Sequence, residues 1–358
     1  MNRRSATREP TMQDMPLGDD GLFLVWGSPG RGPRSRAFAR ELGIDVSFIS
    51  ATRRRGGLVA PYRYLVQGLR TLWVLFRRHP RVVFVQSPPS VAVLVVWFYA
   101  WLARARFVVD AHSCAMRSVY WTRPRWLYRR LARRAAVTIV TSEHYAGSLL
   151  DQGGRSLVIR DIPTTPSTDR TFPVDGSFNV MVVNSFGPDE PLDEIVRAAA
   201  GLDDVVFYVT GDVSRAGRGI PSAPANVRFT GFLPEASYRA LMGVSDAVMC
   251  LTTHDHTMQR GACEALWMGK PIITSGWPLL RDYFDRGTVH VDNTAASIRA
   301  AIREIADHRT RYSTEIEQLQ TDRRLEWSQA VASLRSLLAG SEPRLDEEEP
   351  TGSIARMR

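Results

Sequence analysis

One carboxylate in this chain has few polar neighbours. In MQRGACEALWMGKPIITS, residues 258–275, Glu264 lies among Ala, Leu, Trp and Met. The stretch predicts a helix from near Met258 to Gly269, followed directly by an apolar strand. On a helical wheel Ala262, Ala265 and Leu266 share the side suited to a sheet face, and Glu264 points roughly the opposite way. Arg260, Gly261, Trp267 and Met268 flank it at i−4, i−3, i+3 and i+4. Two readings are open. Glu264 forms a surface pair with Arg260, worth only about a few tenths of a kcal/mol, or something binds over it.

The preceding residues bear on that choice. CLTTHDHTMQRG reads as a strand end, a polar loop and a helix start. A helix N-terminus offers unsatisfied N–H groups and partial positive charge, so it accepts phosphate. Gln259, Arg260 and Gly261 lie at that start. A pyrophosphate there and a ribose on Glu264, one turn later, are mutually consistent, because a carboxylate accepts hydrogen bonds from both hydroxyls of a diol.

A second candidate lies in FVVDAHS, where His112 follows a strand. A lone histidine is either a hydrogen-bonded structural residue or a group that orients a hydroxyl or stabilises developing charge. Asp110, two residues earlier, suits holding loop N–H groups better than acting as a base. GSPGRGPRSR (27–36) is a glycine-rich turn with neither a Walker lysine nor G-x-G-x-x-G spacing. Gly30 and Gly32 either permit close approach to a cleft or simply make a tight turn. HDH (254–256) places two imidazoles on a loop with no third ligand in view, so no metal is expected.

These residues need a scaffold. Short β-branched runs at 22–26, 45–50, 82–86, 106–113, 136–142 and 156–160 alternate with helical stretches at 34–43, 62–79 and 143–151. That alternation predicts a parallel sheet covered on both faces. Residues 161–177 hold three prolines and no periodicity, and the alternation then restarts at FNVMVVNSF. The fold class is therefore α/β, two doubly wound Rossmann-like domains facing a cleft. The expected division is a disordered tail over 1–20, an N-terminal domain over 21–165, a linker over 166–177 and a C-terminal domain over 178–310. A helical segment over 311–340 and a second disordered tail over 341–358 complete it. Such sheets bind ligands beyond the carboxyl ends of their strands.

Composition narrows the classes. The chain has 358 residues, enough for two cores, and its 44% hydrophobic and 23% charged content is ordinary. Three cysteines at unrelated spacings indicate neither a disulfide framework nor a zinc site. The polar first 20 residues carry no apolar core of a secretory signal. The longest apolar run, residues 91–103, is shorter than the roughly 20 residues a spanning helix needs, so it is a buried helix or a membrane-surface element.

On these residues the chain resembles the GT-B glycosyltransferases, family 4 above all. TMQRGACEALWMGKPIITS resembles their donor-binding signature, and VRFTGFLPEASYRALMGVSDAVMCL the segment before it. VMVVNSFGPDEPLDEIVRAAAGL resembles the opening of their C-terminal domain, and FVVDAHS the strand end bearing their catalytic-site histidine. VVFVQSPPSVAVLVVW is also similar to lipid-linked-oligosaccharide β-mannosyltransferases. The resemblance implies that Glu264 holds the nucleotide ribose. It places Arg260, Gly261, Gln259, His256, Lys270, Gly187 and Gly211 on the donor side, His112 and Asp110 at the reaction centre, and Gly30 and Gly32 on the acceptor side. His256 stands where many members have a second glutamate. The basic pair that often grips the diphosphate is replaced by NSFGPDEP.

The implied activity is hexosyl transfer from a nucleotide-diphosphate sugar to an acceptor hydroxyl, on a lipid-linked or cell-envelope glycan, with no cofactor. Rivals are an epimerase on the same fold and a non-catalytic glycosyltransferase-like subunit. Residues 1–172 carry 27 arginines against 11 acidic residues, whereas the remainder carries 19 basic against 26 acidic. The arginine clusters at 53–55, 77–78 and 123–134, the last with Trp126 and Tyr128, suit an anionic membrane surface or a merely solvated face. The basic residues lack the interleaved stacking aromatics of a nucleic-acid module, so nucleic acid is not an expected partner. The expected location is cytoplasmic, peripheral on the inner face of the cell membrane.

Overall fold

The structure, a computed structural model, describes residues 20–27, 33–51, 60–117, 125–164, 171–216 and 222–339. Its central strands are mostly runs of Val, Ile, Leu and Phe, as strands buried on both faces must be, whereas the edge strands DVSF, VRFTG and TVHV alternate with polar residues. In the first sheet they are β1 (Gly21–Val25), β2 (Asp45–Phe48), β3 (Val82–Ser87), β4 (Arg106–Ala111), β5 (Val137–Val140) and β6 (Ser156–Val158). In the second they are β7 (Phe178–Val182), β8 (Val205–Thr210), β9 (Val227–Gly231), β10 (Ala247–Cys250), β11 (Ile272–Ser275) and β12 (Thr288–Val291).

Both sheets are parallel, in the orders β2-β1-β3-β4-β5-β6 and β12-β11-β10-β7-β8-β9. Strand order therefore reverses between β1 and β3 in one sheet and between β7 and β10 in the other. Crevices open at the carboxyl ends of the strands at such reversals. The first core stacks Phe23 on Phe84 with Phe38 edge-on to both. The second packs Val180, Phe207, Met249 and Ile273 beneath the helices that cover it.

The last helix, Arg309–Ala339, does more than end the chain. Its first half buries Ile316 and Leu319 in the second domain. Its second half buries Trp327, Val331, Leu334 and Leu338 in the first, with Trp327 edge-on to Phe38 at 5.5 Å. At about 1.5 Å per residue a helix of this length reaches across both cores. Arg160, just after β6, meets Asp282 at 3.0 Å and Glu326 of that helix at 2.8 Å.

Residues 91–103 form most of a helix, Ser90–Ala103, with one face in the first core and Trp101 and Leu102 outside it. No helix among the described residues is long and apolar enough to cross a membrane. Residues 171–177 are irregular, yet Phe172 and Val174 pack on the second core. Residues 165–170 lie outside the described residues.

Candidate functional site

The Glu264 helix runs Arg260–Trp267, directly beyond the loop that leaves β10. It begins two residues later than the apolar pattern suggests, because Gln259 is extended and His256 takes a positive φ of 54° in the loop before it. Ala262, Ala265 and Leu266 are fully buried against the sheet. Glu264 is on the other face and partly exposed. Arg260 Nε donates to its Oε1 at 2.9 Å, and the Tyr238 hydroxyl donates to its Oε2 at 2.8 Å. Both readings of the sequence thus meet in one side chain: the i,i+4 pair exists, and it holds the carboxylate at the crevice. Burial, and then the charge of Glu264, push the Tyr238 phenol well above its ordinary range. Tyr238 therefore stays a donor. Arg260 retains a buried Nη1 with no partner among the described residues.

The N–H groups near this crevice already have internal partners. Glu190 accepts from the Ser185 N–H at 2.9 Å and the Gly187 N–H at 2.7 Å, closing the loop after β7. The Gly261 and Ala262 N–H groups face the Cys250 thiol. Burial, then the nearby Glu190 charge, push that thiol up to about 12, so it stays protonated. Its Sγ donates to Gln259 Oε1 at 3.2 Å, which turns the Gln259 side chain inward. Gly261 is required for packing: a Cβ there would stand 2.7 Å from Val183 and 3.0 Å from Cys250 Sγ.

The first domain brings a charged group to the same cleft. Asp110 is the penultimate residue of β4 and is buried. Arg34, in the first turn of the helix after β1, places Nη2 3.5 Å from Asp110 Oδ1 and donates to the Ile159 carbonyl at 3.1 Å. His112 Nε2 lies 3.5 Å from Asp110 Oδ2, a close approach rather than a formed hydrogen bond. The His112 N–H donates to the Ser87 carbonyl at 2.9 Å, a last ladder bond beyond Ala111, and a short helix, Ser113–Arg117, starts directly after it, so the imidazole heads the turn. Burial acts to raise the Asp110 carboxyl, but Arg34 and His112 together outweigh it and hold it below the usual range. Asp110 therefore anchors Arg34 and His112, in place of the loop N–H groups expected of it.

Besides Arg160 and the last helix, two contacts join the halves beside the Glu264 helix. The Trp267 indole donates to Asp161 Oδ2 at 2.6 Å. The His256 ring stacks on His144 at 3.9 Å with 4° between the planes. His144 belongs to the helix Glu143–Leu150 of the first domain, so His256 faces the cleft in a stack. His254 turns away, with Nδ1 3.4 Å from Asp189 Oδ2. The two imidazoles of HDH thus point to different partners.

The other expected donor residues divide between the two ends of the second sheet. Lys270 follows the far end of the Glu264 helix, where burial lowers its ammonium and Asp246, at the start of β10, counteracts. It is remote from the helix start and does not join the site. The loop after β8 needs Gly211, at φ +117°, because a Cβ would stand 2.2 Å from the Asn184 carbonyl oxygen. Gly187 supplies an N–H that Glu190 occupies. Gly30 and Gly32 lie outside the described residues. Sequence reasoning missed Arg34, Tyr238, Asp161, His144 and Glu190. Arg34 stood within the glycine-rich stretch, where the glycines drew the attention. Asp161 stood in what reads as a linker.

Residues 17–164 match the model of the glycosyl transferase 4-like domain. Known structures share the whole architecture. HepE of Anabaena, in complex with UDP and glucose, is 16% identical over 90% of this chain and 100% of its own, with a TM-score of 0.62. The chain has the GT-B fold. Sucrose-phosphate synthase of Thermosynechococcus elongatus is 12% identical, covering 89% of this GT-B chain and 96% of its own, with a TM-score of 0.60. A UDP-N-acetylglucosamine 2-epimerase is 12% identical over 83% and 90%, with a TM-score of 0.56. No curated protein matches by sequence.

Proposed function

We propose that this chain transfers a hexosyl group from a nucleotide-diphosphate sugar to an acceptor hydroxyl. One juxtaposition carries the reading. Glu264, held by Tyr238 and Arg260 beyond β10 of the second sheet, and Asp110 with His112, at the carboxyl end of β4 in the first, stand on halves that meet through Trp267–Asp161 and His256–His144. The Trp267–Asp161 bond fixes one side to the other.

In this reading Glu264 accepts from the ribose diol. The partly exposed Arg260 guanidinium meets the diphosphate as the anomeric C–O bond breaks and charge develops on the leaving group. His112, oriented beside Asp110, positions a sugar hydroxyl and offsets developing charge. No metal or other cofactor is assigned a role. HepE carries UDP and glucose in its structure, which supports a nucleotide sugar as the donor class. The arginine excess of the first domain supports a lipid-linked or cell-envelope acceptor, met at the inner face of the membrane.

The test is to incubate the protein with UDP-, GDP- and ADP-hexoses, with and without lipid-linked and free glycans, and to follow nucleoside diphosphate and product. Acceptor-dependent release of diphosphate supports transfer. Conversion of the sugar without any acceptor makes the chain an epimerase, the reading that the epimerase-like architecture favours. Nucleotide binding without turnover would mark a non-catalytic subunit.

A further inference from the structure

The helix Ala60–Arg78 buries Gln67, Gly68, Thr71 and Leu75 against the first domain. Its opposite face is apolar and bare. Tyr62, Leu65, Leu69 and Trp73 are each at least 60% exposed, and Phe76 is 39% exposed. Their spacing of three or four residues puts them in one stripe along about four turns. Arg63, Arg70 and Arg77 recur every seven residues and form a second stripe beside it. Arg77 lies over the Trp73 ring at 5.7 Å.

The stripe continues onto its neighbour. Phe76 meets Tyr99 edge-on at 5.3 Å, joining this helix to Ser90–Ala103. There Trp101 is 67% and Leu102 56% exposed. A soluble surface seldom concentrates bare Trp, Leu and Tyr in one patch unless a partner covers it.

The charge around the patch says what the partner is. From residue 46 to residue 142 the sequence has 17 arginines and one acid, Asp110, which is buried. We infer that this two-helix face inserts into the interfacial layer of an anionic bilayer, with the stripe among the acyl chains and the arginines at the headgroups. Exposed tryptophans at the edge suit that depth. A second copy would bring two arginine-rich faces together against like-charge repulsion. A nucleic acid would leave Leu65 and Leu69 bare. The inference rests on the surface and not on the transfer reading, and it specifies which face meets the lipid. It also fits a lipid-linked acceptor. Tyr62 opens the stripe two residues before Tyr64, which stacks at 6.0 Å on Trp26 at the carboxyl end of β1, on the cleft side of the sheet.

The test is flotation of the full chain with vesicles of pure phosphatidylcholine and of phosphatidylcholine with phosphatidylglycerol. The protein is expected to float with the anionic vesicles and to be released in part by raised salt. The variant Leu69→Glu/Trp73→Glu, at two mostly exposed positions, should lose flotation while keeping its melting temperature and nucleotide affinity. Arg63→Gln/Arg70→Gln/Arg77→Gln should lower partitioning by about a hundredfold. Unchanged flotation of the glutamate variant, or equal flotation with neutral vesicles, overturns the inference. So does a dimer in sedimentation that the glutamate variant abolishes, or DNA binding in place of vesicle binding. Failure of transfer assays leaves the flotation result standing, and the reverse, so the two claims fail separately.

Discussion

The Trp267 indole and the Asp161 carboxylate meet at 2.6 Å, although they belong to different sheets. Trp267 ends the helix that carries Glu264, and Asp161 follows β6. Both are buried, so the bond sets how the donor-side helix sits against the first domain. Trp267→Phe keeps most of the ring volume and removes the donor. It leaves a buried carboxylate short of a partner, at an expected cost of about 1.5–3 kcal/mol by chemical denaturation. Nucleotide affinity should fall less than stability. A variant as stable as the parent would show that the bond contributes nothing to domain docking.

Glu264 is held by two donors before any ligand arrives. Glu264→Ala should weaken nucleotide binding by about 1.5–3 kcal/mol, the range for hydrogen bonds to a charged group. Tyr238→Phe should cost less, since Arg260 still holds the carboxylate. Calorimetry on folded variants reads both. An unchanged affinity in Glu264→Ala removes the ribose assignment.

Asp110 ties acid stability to the proposed reaction centre. Its carboxyl is held below the usual range in the folded chain, against the effect of burial, by Arg34 and His112. A depressed folded-state pKa stabilises fully above the unfolded value of about 3.9, and that contribution is lost as pH falls through the folded value. Stability should therefore drop as pH goes below about 4. In Asp110→Asn the drop should be shallower, from a lower starting stability. Denaturation curves between pH 6 and pH 3 compare them. Parallel slopes in the two proteins would mean that other carboxylates dominate the acid transition.

His112 should act on turnover more than on donor binding. It heads the turn after β4, in the domain opposite Glu264. His112→Ala is expected to lower kcat by one to three orders of magnitude, as for a lost acid–base or orienting group. Nucleotide affinity should stay near the parent's. Parent-like turnover would reassign His112 as a structural turn residue.

The sheets were legible because parallel strands buried on both faces announce themselves as apolar runs, and the intervening helices carry a 3.6-residue pattern. Glu264 was legible for a related reason: an acid on an apolar helix breaks the pattern. Its partners were not. Tyr238 sits 26 residues away on another helix, and its meeting with Glu264 depends on how two elements pack. Arg34 and Asp110 are 76 positions apart, joined only through the order of β1, β3 and β4. Lys270 shows the opposite error. It is near Glu264 in sequence, but a helix separates its two ends in space, and the lysine follows the wrong end. The last helix reads as an appendage because its apolar residues serve two cores in succession.

Glu190 carries the last prediction. Its carboxylate accepts both the Ser185 and Gly187 N–H groups in the loop after β7, beside the strand-order reversal where a diphosphate would lie. Converging loop N–H groups of this kind make an anion-binding concavity. Here the protein's own anion fills it, and the arriving diphosphate meets a negative charge. Glu190→Gln keeps the side chain's length and an acceptor but removes the charge. Affinity for a nucleoside diphosphate should rise roughly threefold to tenfold, about 1 kcal/mol. Affinity for the nucleoside alone should not change, because it has no phosphate to repel. The variant should melt slightly lower, having exchanged charge-assisted bonds from the Ser185 and Gly187 N–H groups and the Ser185 hydroxyl for weaker ones. Isothermal calorimetry with the diphosphate and the nucleoside separates these effects. Equal gains for both ligands, or none for either, would place the phosphates away from this loop and leave Glu190 as a brace of the backbone only.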